Sequence, residues 1–180
     1  GTTLAPKLER LYAALAGSGS GGERASCKFA SEFFKNGELL GEDEICAAYQ
    51  RHLSKDLRFH ATTGGPQRDD LLLLLDTGVG LKNSRQAASQ GQARCLALGL
   101  KLAAAELVLE RTGEGPILLL DDVESELDQA RRGALHTLLE GFDSQVFITT
   151  TDVSELLPRG KMDSMTMRIS RGEILSENTT

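Results

Sequence analysis

The chain has 180 residues, with 20 Lys and Arg against 26 Asp and Glu, a formal charge of −6, and 40% apolar and 26% charged residues. This balance excludes a disordered chain and provides enough apolar side chain for a packed core. The acidic surplus disfavours a stand-alone nucleic-acid binder, because phosphates are neutralised by clustered Lys and Arg.

Leu4, Leu8, Leu11 and Leu15 recur at helical spacing over Thr2 to Ala16, and the glycine-serine run from Gly17 to Gly22 breaks that helix into a loop. Nothing near the N-terminus has the basic-then-apolar order of an export signal, which points to a cytoplasmic protein. Ala25 to Phe34 reads as a short strand. Cys27, Cys46 and Cys95 are widely spaced and odd in number, as expected of reduced, partly buried thiols rather than a disulfide frame or zinc site. Glu42 to Leu57 is expected to be a helix with Ile45, Ala48, Tyr49, His52 and Leu53 on one side. Ala61 to Arg68 is a glycine- and proline-marked loop, and Leu71 to Leu75 a strand. Ser89 to Arg111 forms a long helix, apolar along Leu96, Leu100, Ala103 and Leu107 and again along Cys95, Leu98, Leu102 and Leu109. A helix apolar on two sides belongs between layers.

Ile117 to Leu120 is expected to be a central parallel strand covered on both faces. Gln129 to Glu140 is a helix stopped by Gly141, Val146 to Ile148 a strand, and Met165 to Ile169 with Ile174 a final strand or hairpin. The alternation predicts an α/β layered sheet with flanking helices. No apolar run reaches the roughly 18 residues of a membrane-crossing helix.

Four places could carry chemistry. Asp121 and Asp122 follow an apolar strand at its carboxyl end, where open α/β sheets bind ligands. Side chains alternate along a strand, so the two carboxylates should have different roles. One would hold magnesium and the other would orient or deprotonate a water; alternatively the pair opens a turn and caps the next helix. Ser89 and Gln92 have the spacing of a capping box, and the same helix start, with Gly91, presents N–H groups that suit a phosphate. Ser125 to Asp128 offers an N-cap for the Gln129 helix. Thr149, Thr150 and Thr151 are either ordinary strand formers or groups approaching a γ-phosphate. The three histidines, His52, His60 and His136, have no mutual ligand spacing, and Arg131-Arg132 reads as a solvated helix face.

In order and spacing, A-S-Q-G-Q (Ala88–Gln92), L-L-L-D-D-V-E-S-E-L-D (Leu118–Asp128) and V-F-I-T-T-T-D (Val146–Asp152) resemble the second half of an ABC/SMC-type ATPase head, and within that class the bacterial RecF family. The resemblance is strong from about Thr62 to Asp152. Gly65, Pro66, Arg68, Asp69 and Asp70 match the family's G-P-H-R-D-D element, with Gln67 in place of its His and His60 in place of a Gly. The resemblance implies that Asp121 is the Walker B magnesium ligand and Asp122 the catalytic carboxylate. It also implies that Ser89, Gly91 and Gln92 contact the γ-phosphate of ATP held by the opposite subunit. Ser125 and Asp128 would then belong to the D-loop and Thr150 to the switch region. Residues 1–60 would form a lobe II-like segment, and 61–180 the signature, Walker B, D-loop and switch region.

Members of that family bind ATP and DNA, dimerise around nucleotide, and act with RecO and RecR to help RecA load at gaps. Their context is DNA repair, recombination and replication and the SOS response. The chain has no G-x-x-x-x-G-K-[ST] loop. The expectation is therefore a C-terminal portion that neither binds ATP tightly nor hydrolyses it alone. The alternative is a catalytically silent dimerisation or docking remnant, or a head fragment of another SMC relative.

Overall fold

The computed structural model describes residues 4–17, 22–35, 37–122, 127–151 and 165–179, with side chains described through 175. Helix α1 (Leu4–Ala16) turns Leu8, Leu11, Tyr12 and Leu15 inward, each 0% exposed. That i, i+3, i+4, i+7 stripe packs on α4 (Gln90–Thr112) and on β1 (Arg24–Ala30). Strand β1 pairs antiparallel with β4 (Asp70–Asp76), Cys27 opposite Leu73, and β5 (Leu81–Asn83) extends the other side of β4. Residues of the 1–60 and 61–180 segments therefore share one sheet and one core. A short ribbon of β2 (Phe34–Lys35) and β3 (Glu38–Leu39) leads into α2 (Glu42–Phe59), and α3 (Ser84–Ala87) precedes α4.

Helix α4 turns its apolar stripes toward the core but leaves Ala97, Lys101, Ala104 and Val108 exposed, so one side faces outward instead of lying between layers. Cys95, Leu96, Leu98, Leu102 and Ala103 are buried, and Gly113 ends the helix in a left-handed cap. Helix α5 (Gln129–Glu140) adds Leu135 and Leu139 to the same cluster. Strands β6 (Leu118–Asp121) and β7 (Val146–Thr149) pair in parallel, in a register that sets Asp121 opposite Thr149. The last two strands, β8 (Met165–Ser170) and β9 (Glu173–Thr179), form a hairpin. Among the described residues no helix is long and apolar enough to cross a membrane.

Other expectations change as well. Strand β6 is not covered on both faces: Leu120 is buried, but Ile117 is 61% and Leu119 73% exposed. The reason is the period of a strand. Leu118, Leu120, Val146 and Ile148 turn toward the core, whereas Leu119 and Phe147 point to the side that no described element covers. Likewise only Ala48 of the α2 stripe is fully buried, while Tyr49 and Leu53 are exposed. Tyr49 packs on Phe33 at 5.3 Å between ring centres. Of the cysteines, Cys95 is buried and Cys27 half-buried, but Cys46 is exposed on α2.

The approach to β6 depends on a glycine. A Cβ on Gly115 would lie 1.9 Å from the Asp143 carbonyl oxygen, which belongs to backbone and cannot swing away. Gly115→Ala should thus push apart the two segments that lead into β6 and β7, costing on the order of 2 kcal/mol. Thermal unfolding of the pair of proteins checks this, with an unchanged midpoint as the contrary result.

Candidate functional site

The carboxyl end of β6 is where the two adjacent carboxylates separate. Asp121 is the last residue of the strand, and Asp122 leaves it with φ 47°, a left-handed conformation that Asp tolerates better than most residues. The turn redirects the backbone at once, so both side chains are exposed without sharing a direction set by the pleat. Thr149, at the matching position of β7, closes the arrangement. Its hydroxyl donates to Asp121 Oδ1, while the Asp122 N–H donates to Thr149 Oγ1 at 3.0 Å and to the Thr149 carbonyl at 3.2 Å. Of the three threonines at this strand end, the resemblance places Thr150 in the switch region, which is a different role from contact with Asp121. The residue bonded to Asp121 is Thr149, and only strand register reveals it. Thr150 is half-buried just beyond the strand.

A second group forms at the start of α4. Ser89 is the N-cap: its Oγ accepts from Gln92 N at 3.3 Å, and Gln92 Oε1 accepts from Ser89 N at 2.7 Å. The expected capping box is thus present in full. The remaining end of the Gln92 amide also has a partner, because Nε2 donates to Glu23 Oε1 at 2.7 Å. Glu23 in turn accepts from the buried Tyr12 hydroxyl at 2.7 Å. Burial and this carboxylate push the phenol well above its ordinary range. A chain of polar contacts therefore ties the cap of α4 to α1 and to the residue before β1. Glu23 carried no sequence signal, since it is local to nothing it touches.

Gly91 at the same helix start faces Arg131. A Cβ there would meet Arg131 Nη1 at 2.8 Å, so the glycine admits the guanidinium. Arg131 is not a solvated helix-face residue: its side chain is 29% exposed and lies 3.5 Å from Asp128 Oδ2. Asp128 is the N-cap of α5, accepting from Arg131 N at 2.9 Å. The starts of α4 and α5 thereby meet through one arginine. A cation at a helix N-terminus works against the helix dipole, and Asp128 offsets it here. Ser125 and Asp152 lie outside the described residues. Hydrogen bonds through Thr149 join Asp121 with Asp122, and the capping box joins Ser89 with Gln92, while Arg131, packed against Gly91 and paired with Asp128, brings those two residues together.

The G-P-Q-R-D-D loop is held beside α2. Thr63 donates from its N–H and its hydroxyl to Asp56 Oδ1, at 2.7 and 2.6 Å, and these bonds keep the Asp56 carboxyl below its usual range. Gly64 and Gly65 are buried, Gln67 Nε2 donates to the Gly64 carbonyl at 2.8 Å, and Asp70 pairs with Arg85 at 2.9 Å. His60 caps α2 in a left-handed conformation with φ 50°, a backbone geometry that a glycine adopts without strain. His52 pairs with Glu32 at 2.7 Å, consistent with a structural histidine.

No protein-family model matches the chain. Among curated proteins it is 35% identical over 170 residues to the DNA replication and repair protein RecF of Trichlorobacter lovleyi, covering 94% of this chain and 44% of that protein. It is 46% identical over 147 residues to RecF of Lactobacillus delbrueckii subsp. bulgaricus, covering 78% and 37%. The chain thus spans less than half the length of these relatives. A solved structure of the recombination mediator protein RecF with ATPγS, named as part of the RecFOR pathway, superposes with a TM-score of 0.69 at 32% identity, over 96% of this chain and 44% of that one. An Smc head bound to the C-winged helix domain of ScpA shares the fold, with a TM-score of 0.55 at 15% identity over 98% of this chain and 42% of that one.

Proposed function

Because the chain belongs to the RecF family and matches its C-terminal portion, we propose that it supplies the signature motif, Walker B strand and D-loop of a cytoplasmic DNA-repair ATPase. In this reading the ATPase dimerises on ATP, binds DNA, and works with RecR- and RecO-type partners to help RecA load at gaps. Residues 1–60 stand for the lobe II-like segment, with α1 and β1 built into the core of the head. The observation that carries the reading is the pair of carboxylates at the carboxyl end of β6, one in the strand and one turned out of it.

Asp121 would hold Mg2+. Among the described residues no three His, Cys, Asp or Glu side chains form an all-protein cage. A single exposed carboxylate suits this ion, which keeps waters and phosphate oxygens around it and neutralises charge on the transferred group. Asp122 would accept a proton from the attacking water. Ser89 Oγ and the N–H groups of the first turn of α4 would face the γ-phosphate of ATP on the opposite subunit. Gln92 would join them by exchanging its Glu23 partner. Ser125 and Asp128 would cross the dimer interface and Thr150 would line the switch.

Carboxylates and a capped helix start bind only part of a nucleotide. The 180-residue chain alone should therefore show no micromolar ATP affinity by calorimetry. A head completed with a G-x-x-x-x-G-K-[ST] portion should bind ATP and dimerise on it, read by sedimentation with and without nucleotide. Micromolar binding by the chain alone would overturn the division of labour. A completed head that binds ATP but never hydrolyses it would favour the silent docking remnant.

A further inference from the structure

We propose that Thr149 is a positioning residue for both carboxylates, holding Asp121 to one orientation and Asp122 in its left-handed turn. The inference rests on the ATPase reading above for its purpose, but its geometry stands independently. The Asp122 N–H occupies a lone pair of the Thr149 hydroxyl at 3.0 Å, which directs the hydroxyl proton onto Asp121 Oδ1. Amide, hydroxyl and carboxylate form a short polarised relay in which each bond strengthens the next. With one lone pair of Oδ1 engaged, Asp121 would offer Oδ2 to a cation. The same hydroxyl, together with the Thr149 carbonyl at 3.2 Å, pins the amide that follows the strand and so fixes where Asp122 departs.

Register makes the arrangement specific. Parallel pairing of β6 with β7 sets Asp121 directly across from Thr149, on the same side of the sheet. Thr150 lies one residue beyond β7 and is half-buried, whereas Thr149 is the residue paired with Asp121. A β-branched residue is also favoured at that strand end, so a threonine there satisfies strand and site together.

The test uses Thr149→Val, which keeps shape, strand preference and carbonyl but removes the hydroxyl, with Thr149→Ser to restore it. Thr149 is exposed at the strand end, so both variants should fold. NMR couplings in the 180-residue chain should show one Asp121 χ1 rotamer in the parent and the serine variant, and an averaged one in the valine variant. Exchange of the Asp122 amide should quicken about tenfold in Thr149→Val only. In a completed head the valine variant should lose about tenfold in kcat with KM for ATP unchanged, and serine should recover it. An unaltered Asp121 rotamer and unaltered Asp122 exchange in Thr149→Val would overturn the proposal. These two readouts need no nucleotide. Failure of the ATPase reading would appear instead as absent ATP-dependent dimerisation with Asp121 still ordered.

Discussion

Asp122→Asn in a completed head should lower the ATPase rate by about a hundredfold or more while ATP-dependent dimerisation persists. The substitution is unusually clean at this position. Asparagine has nearly the size of aspartate and tolerates a φ of 47°, so the turn after β6 and its N–H bonds to Thr149 should survive. What disappears is the negative charge that, in the proposed role, would accept a proton from water. A bulkier or β-branched residue would confound the result by straining the same turn. Single-turnover hydrolysis gives the rate and sedimentation with ATP gives the dimer. Normal turnover by the asparagine variant would remove Asp122 from the chemistry.

Ser89→Arg should abolish ATP-dependent dimerisation in the same head, a loss of at least about a hundredfold in dimer affinity, and leave ATP binding within each subunit intact. The serine is exposed at the first turn of α4 and caps it through Oγ. Arginine removes that cap, adds bulk where the second subunit's phosphate would sit, and places another cation near Arg131 at the positive end of a helix. Ser89→Ala separates these effects, because it loses the cap at about 1 kcal/mol without filling the space. Dimerisation on sedimentation should therefore fall far more with arginine than with alanine. Equal dimerisation by all three proteins would reject a contact in trans.

Much of the local architecture was legible because it follows from short-range rules. The α4 cap was readable from Ser89 and Gln92 three residues apart, and the start of α5 from Asp128 just before a periodic apolar run. The stops at Gly113 and Gly141, and the hairpin of β8 and β9, follow from turn and strand preferences. The stripe of Leu8, Leu11 and Leu15 announced a buried helix side. Burial of the second stripe, on α2, failed because amphipathicity states which side would be buried, not whether anything arrives to bury it. The same holds for Leu119 on β6: an apolar run is necessary for a covered strand but does not supply the second layer.

The site shows the same division. Sequence by itself determined the chemical types and their order, namely two carboxylates after an apolar strand, a capped helix start with a glycine, and hydroxyls at a second strand end. Those are properties of neighbours along the chain. Tertiary structure alone decided the partners: Thr149 on Asp121, Glu23 on Gln92, and Arg131 against Gly91. Asp121 and Thr149 are 28 positions apart, and Gln92 and Glu23 are 69 apart. Contacts at such separations depend on strand register and helix packing, which are set by burial of the whole core rather than by any local pattern.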